Sequence, residues 1–248
     1  MTVYFIGAGP GDPELITVKG QRLLRSCPVI LYAGSLVPVA LLEGHNAELV
    51  VNTAELHLEA IIELLRAAHA KGQDVARVHS GDPSLYGAIG EQIRHLRTHN
   101  IPFQIIPGVT ATAACAALLE SELTLPGISQ TLILTRYATK SQMPTGEQLS
   151  DLARHGATMA IHLGVSHLPR IVAELTPHYG SDCPIAVVHR ASWPDQDWVS
   201  GTLADITAKA EAKGFRRSAL IIIGQVLSAE QFDDSALYNI SASHLYRP

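Results

Sequence analysis

The feature that most constrains this chain is one local pattern used several times: a short apolar run that stops at a glycine. The runs at residues 3–6, 28–32, 74–79 and 103–106 lead into loops carrying Gly7, Gly34, Gly81 and Gly108. A continuous apolar run of that length, ended by a turn signal, reads as a strand buried on both faces. Residues 48–51 form a further run of the same kind. Between the runs the period changes. Leu58, Ile61, Ile62, Leu65 and Ala68 fall on one helical face, with Gly72 as the stop. Asp12-Pro13 and Asp82-Pro83 read as N-cap and first helical position, which predicts helices running to about Ser26 and Arg97. An alanine-rich helix is expected from Thr110 through Leu119. This alternation predicts an α/β domain, a parallel sheet covered by helices on both faces. Ligands in such sheets bind beyond the carboxyl ends of the strands, where the glycine loops lie.

From Ser121 to Gln130 the text becomes a Pro/Gly-bearing connector, and the boundary is placed there: an N-terminal α/β domain over 1–121 and a C-terminal one over 122–248. In the second, strands are expected at 131–135, 158–163, 185–189 and 220–223, and helices near 146–155, 166–178 and 202–213, with the sheet order left open. Residues 137–146 are polar and aperiodic and read as a mobile loop or lid.

Composition removes several function classes. A net charge of −5 gives no global attraction to nucleic acid or to an anionic membrane. No apolar run approaches the ~18 residues that span a bilayer, and the N-terminus lacks the basic start of a secretory leader. Cys27, Cys115 and Cys183 are far apart with no CxxC, so neither a zinc site nor a disulfide framework is expected, and a reducing cytoplasm is the natural location. His95 and His99 are spaced to share a ligand but have no third partner, while His79, His162 and His189 lie in strand text. No metal is expected.

Gly7-Ala8-Gly9-Pro10-Gly11-Asp12 is not a dinucleotide fingerprint. Asp12 occupies the position that must be small, and the second run ends Tyr32-Ala33-Gly34 with no acid for a ribose. No phosphate-binding loop ending in Gly-Lys-Ser or Gly-Lys-Thr occurs. What remains is small-residue backbone that a ligand can approach closely, with carboxylates at two helix starts. That suits a ligand bearing positive charge and hydroxyls, and S-adenosylmethionine is one. The same two aspartates also read simply as helix caps worth about 1 kcal/mol each.

Gly7-Ala8-Gly9-Pro10-Gly11-Asp12-Pro13-Glu14-Leu15-Ile16-Thr17, Ser80-Gly81-Asp82-Pro83-Ser84-Leu85-Tyr86-Gly87 and Ile106-Pro107-Gly108-Val109-Thr110 closely resemble the tetrapyrrole methylase family. Trp193-Pro194-Asp195-Gln196 with Gly201-Thr202-Leu203 is similar to a fourth family segment, so the resemblance runs nearly end to end. Leu31-Tyr32-Ala33-Gly34-Ser35-Leu36-Val37 resembles the branch that methylates C11 of precorrin-4 in cobalamin biosynthesis, and differs from the uroporphyrinogen branch.

The resemblance implies two α/β domains of the tetrapyrrole methylase type, paired as a homodimer, with S-adenosylmethionine in a cleft between the domains and a small-molecule tetrapyrrole beside it. Carried onto this chain, cofactor contacts fall at Pro10, Ser80, Gly81, Asp82, Thr110, Ala111, Leu163, Ala191 and Ala219. Leu163 stands where several relatives have Met, and Trp193 replaces an Arg. Methyl transfer to an electron-rich macrocycle needs alignment rather than a covalent or metal centre. Asp12 and then Tyr86 are the candidates for accepting a proton. Substrate contacts are expected at Tyr32, Ser35, Arg136 and Arg190. Lys19, Arg22, Arg216 and Arg217 read as solvated surface.

Overall fold

The computed structural model describes residues 1–34, 36–139 and 141–235. They form two compact units. One is Met1–Ala114 with Ser192–Pro194; the other is Cys115–Ala191 and the described residues from Asp195 onward.

In the first unit, β1 (Val3–Gly7), β2 (Val29–Tyr32), β3 (Leu49–Asn52), β4 (Val75–His79) and β5 (Phe103–Ile106) make one sheet in the order β3-β2-β4-β1-β5. All of its pairings are parallel. The apolar runs read as strands because alternate residues bury on opposite faces. Ile6, Ile30, Ala76, Val78 and Ile106 pack with Leu23 and Leu24 of α1 (Val18–Ser26). Val3, Phe5, Val29, Leu31 and Val75 pack with Ile61, Ile62 and Leu65 of α2 (Leu58–Ala70), and with Ile89 and Leu96 of α3 (Ile89–Thr98). The alanine-rich helix is α4 (Ala111–Leu118).

Two predicted helix starts are corrected. Asp12 caps only a short 3₁₀ turn, Pro13–Leu15, and the chain then extends through Ile16. Thr17 is the true cap of α1, its hydroxyl accepting from the Gly20 N–H at 3.1 Å. The helix expected after Asp82-Pro83 does not form until Ile89. Tyr86 and Ala88 are left-handed, with φ 56° and 50°, and a helix cannot pass through them.

The second unit holds β6 (Leu132–Arg136), β7 (Thr158–His162), β8 (Pro184–His189), β9 (Asp197–Thr202) and β10 (Ala219–Ile223), in the order β6-β7-β10-β8-β9. Only β6 and β7 run parallel; the other pairings are antiparallel. Met159, Ile161, Ile185, Val187, Ile221 and Ile223 bury one face against Leu149 of α5 (Leu149–Ala153), Ile171 and Leu175 of α6 (Leu168–Tyr179), and Ile206 of α7 (Ile206–Ala212). β9 was not expected. Among the described residues it is an edge strand paired only with β8, and Asp-Trp-Val-Ser-Gly-Thr gives it few apolar residues to signal burial.

No helix among the described residues is long and apolar enough to cross a membrane.

Leu65 and Leu175 are fully buried, one in each unit. Either Leu→Ala change should cost about 2–5 kcal/mol in denaturant-induced unfolding. Val18→Ala, on an exposed side chain, should stay within about 0.5 kcal/mol.

Candidate active site

The glycine loops of the first unit lock into one another at the carboxyl edge of its sheet. The Ala8 N–H donates to the His79 carbonyl at 2.7 Å. Gly9 and Gly81 exchange backbone hydrogen bonds, with Gly81 N–H to Gly9 O at 2.7 Å and Gly9 N–H to Gly81 O at 3.3 Å. Gly108 completes the knot: a Cβ there would lie inside contact with the Gly81 carbonyl. The loops after β1, β4 and β5 therefore approach as bare main chain. Asp82 fastens the join, its Oδ1 accepting from the Ser84 N–H at 2.7 Å and its Oδ2 from the Gly108 N–H at 2.9 Å.

Gly81 differs from its neighbours. A Cβ at Gly81 would meet nothing nearer than the Val109 carbonyl at 3.9 Å and the Ala111 nitrogen at 4.0 Å, although its φ of +60° is a backbone that other residues adopt only with strain. The loop therefore opens onto a space edged by main-chain polar groups. Thr110 caps α4 beside it, its hydroxyl accepting from the Ala113 N–H at 3.2 Å.

The segment Ser192–Pro194 of this unit braces the first loop from another side. The Trp193 indole N–H donates to the Pro10 carbonyl at 2.8 Å, and the ring lies where a Cβ on Gly11 would have to go. The Asp12 N–H donates to the Ser192 hydroxyl at 3.0 Å. Asp12 Oδ1 accepts from the Glu14 N–H at 2.8 Å, and the carboxylate keeps a second oxygen. Thus Pro10, Asp12, Ser80, Gly81, Asp82, Thr110 and Ala111 are brought to one rim. Tyr86, 46% exposed, sits on the same loop as Ser80 and Gly81. Tyr32 ends β2 half-buried, packed against the core. Gly34, next in the chain, donates its N–H to Asn52 Oδ1 at 3.2 Å. Ser35 lies outside the described residues.

The second unit gathers its own candidates by register. Arg136 at the end of β6 is level with His162 at the end of β7. Antiparallel pairing of Ile221 with Ile161 brings Ala219, at the start of β10, level with Leu163 just beyond β7. Ala219 is in turn level with His189 at the end of β8, so Arg190 and Ala191 follow at the same edge. Leu163 is left-handed with φ 57° and is 63% exposed, an arrangement that costs energy in both respects. Arg190 and Ser218 at this edge are left-handed too, with φ 48° and 53°.

The two arginines expected to meet substrate carboxylates both work on their own loops. The Arg136 guanidinium donates to the Ser141 hydroxyl at 3.0 Å and to the Ser141 carbonyl at 3.3 Å. Arg190 Nε donates to Asp195 Oδ1 at 2.8 Å, which holds that exposed carboxyl below the usual carboxylate range. Burial pushes the Cys27 and Cys115 thiols up to about 12, so neither is a ready nucleophile. Among the described residues no three His, Cys, Asp or Glu side chains come together as a metal site.

A profile of the Tetrapyrrole (Corrin/Porphyrin) Methylases matches residues 2–207. The chain belongs to that family. It is 74% identical over 248 residues to the precorrin-4 C(11)-methyltransferase of Pseudomonas aeruginosa, covering 100% of this chain and 99% of that one. A solved cobalt precorrin-4 methyltransferase superposes with a TM-score of 0.89 at 40% identity, covering 92% of this chain and 96% of that one. The uroporphyrin-III C-methyl transferase of Thermus thermophilus, solved with S-adenyl homocysteine, superposes at 0.74 with 33% identity, covering 92% of this chain and 99% of that one.

Within this tetrapyrrole methylase, sequence reading passed over Asn52 and Ser192, whose roles are contacts with distant segments. Trp193 was noticed only as a departure from the family's Arg. A tryptophan beside glycine-rich text was the available signal, because an indole N–H in a packed position needs an acceptor.

Gly108→Ala forces a methyl into the Gly81 carbonyl and should destabilise by about 1–3 kcal/mol. Gly81→Ala meets no clash and should cost only the left-handed strain, about 1–2 kcal/mol. Thermal melts of the two variants check the order; equal melts would contradict the interlock.

The site also sets a pH dependence. Burial, and after it the Arg77 charge, push the His79 imidazole down to about 3, and burial brings His162 to about 4. Between those values and the ordinary 6.5, the unfolded chain binds protons that the folded chain refuses, so stability falls as pH drops. Melting temperature should decline from about pH 6.5 downward, and His79→Asn should flatten that decline.

Proposed function

We propose that this chain is an S-adenosylmethionine-dependent C-methyltransferase that places a methyl group on C11 of precorrin-4 to give precorrin-5, a step of cobalamin biosynthesis. The observation that carries the reading is identity of 74% along the whole chain to a protein of that name. The local geometry fits it. The first unit's rim is uncrowded main chain around Gly81, with the Val109 carbonyl and the Ala111 amide at its edge, as a nucleoside with ammonium, carboxylate and hydroxyl groups requires. Pro10, Ser80, Gly81, Asp82, Thr110, Ala111, Leu163, Ala191 and Ala219 are assigned to the cofactor. When bound, S-adenosylmethionine supplies an electrophilic methyl group on its sulfonium.

The protein's own task is orientation. A pyrrole-derived carbon in an electron-rich ring is already nucleophilic, so fixing the approach line contributes several kcal/mol without covalent help from a side chain. Preset hydrogen bonds do this here: Trp193 fixes the Pro10 carbonyl, and Asp82 ties Ser84 to Gly108. The second oxygen of Asp12 takes the proton that the substrate gives up elsewhere on the ring as the methyl adds, with Tyr86 as the other acceptor in reach of the same rim. Tyr32, Ser35, Arg136 and Arg190 are assigned to the tetrapyrrole, the arginines to its carboxylates. The same reading carries a homodimer working in the cytoplasm.

The match to a cobalt precorrin-4 methyltransferase makes the cobalt-bearing ring the second substrate to test. Incubation with each tetrapyrrole and methyl-labelled cofactor, followed by NMR, should place the label at C11 of precorrin-4. Label at another carbon, or on the cobalt-bearing ring alone, overturns the assignment. Gly81→Leu should abolish S-adenosylhomocysteine binding in calorimetry while melting close to Gly81→Ala.

A further inference from the structure

Buried polar groups beneath the Tyr86 loop serve neither the glycine knot nor the methyl transfer just described. Arg77 on β4 is 4% exposed. Its Nε donates to Gln92 Oε1 on α3 at 3.0 Å, and its Nη1 donates to the Leu31 carbonyl at 3.3 Å. Among the described residues no carboxylate pairs with this guanidinium. Gln92 passes the chain on, its Nε2 donating to the Ala88 carbonyl at 3.2 Å. The Ala88 carbonyl is thus held from below. His79, two residues beyond Arg77 and so on the same face of β4, is equally buried.

The turn Ala88 belongs to does not hold itself. Tyr86 and Ala88 are left-handed, each at a cost of about 1 kcal/mol or more. Ala88 precedes α3 with no side-chain cap. Gly87 packs so closely on the Pro83 carbonyl that no side chain fits there. A strained turn persists only where its surroundings over-determine it. The chemistry of position 92 is telling. A glutamate would pair the buried Arg77 charge better than an amide does, yet it would lose the N–H that holds Ala88. Of the two, only the amide accepts from Arg77 and donates to the turn at once.

We infer that Arg77 and Gln92 form a buried polar bracket that keeps the Tyr86–Ala88 turn left-handed and so sets where the Tyr86 ring stands at the rim. They are positioning residues. The consequence for turnover rests on the methyltransferase reading above, whereas the hold on the turn does not.

The decisive variant is Gln92→Glu, which keeps a partner for Arg77 and removes the donor to Ala88. It should melt within a few degrees of the parent, while amides of residues 85–89 exchange with deuterium about tenfold faster. Its kcat/KM for precorrin-4 should fall about tenfold or more, with S-adenosylhomocysteine affinity held within about twofold. Parental exchange and turnover in Gln92→Glu would overturn the bracket. So would a fall in S-adenosylhomocysteine affinity in step with turnover. If the parent methylates no precorrin, the proposed function fails and the exchange contrast alone decides the bracket.

Discussion

The contact on which the first unit's rim depends is main chain against main chain: the Gly9–Gly81 exchange of hydrogen bonds, with Gly7 and Gly108 pressed onto the Gly81 carbonyl. A Cβ on Gly7 would lie 2.6 Å from both Gly108 Cα and the Gly81 oxygen. Parallel strands β4, β1 and β5 are neighbours in the sheet, so their following loops leave from adjacent points. Loops with side chains at those points would be forced apart. With glycine they close into one surface, and the strand edge becomes a fixed display of amides and carbonyls. Asp82 is part of that display's frame. Both of its oxygens are engaged by backbone N–H groups, which explains the acid there without assigning its charge to a ligand.

The central strands β1, β2 and β4 were legible because burial on both faces leaves continuous apolar text, and the edge strands β3 and β5 carry apolar text although Leu49, Val50 and Ile105 are exposed. Observed β1 to β5 match the apolar runs to within a residue or two. The helix starts were less legible because Asp-Pro marks a capped turn equally well. At Asp12 the turn lasts three residues before Ile16 goes extended. At Asp82 the carboxylate spends its second oxygen on Gly108, a partner 26 residues away that no local pattern announces. β9 was hidden for the opposite reason, since an edge strand with one neighbour carries too few apolar residues to stand out. The order of the second sheet, with β10 inserted between β7 and β8, is a long-range fact of the same sort.

Site residues divide along the same line. The glycine loops could be found by eye, because small residues at strand ends have few other uses. Leu163, Arg190 and Ser218 could not be recognised as strained, since no residue type there requires positive φ. Yet of the eight left-handed non-glycine residues described, Tyr86, Ala88, Leu163, Arg190, Ser192 and Ser218 lie in the candidate loops, while Asn100 and Glu120 follow helix ends. Strain concentrated in this way says that backbone direction at the rims is held against local preference.

Holding it requires interactions stronger than the preference, and the fold supplies them mainly as hydrogen bonds to backbone groups. Arg136 spends its guanidinium on the carbonyls of its own loop, Trp193 its indole on Pro10, and Gln92 its amide on Ala88. Where such a bond is partly buried, as for Trp193 and Gln92, it is worth more than at a solvated surface, because the alternative is a stranded polar group. Arg77 takes this furthest: a guanidinium almost wholly removed from water, lowered to about 10 by that burial, satisfied by an amide and a carbonyl. A hydrophobic residue of similar volume would be the easier choice for stability alone. The polar choice makes sense where the geometry of the overlying turn matters more than the last increment of stability. A rim built to orient rather than to react is such a place.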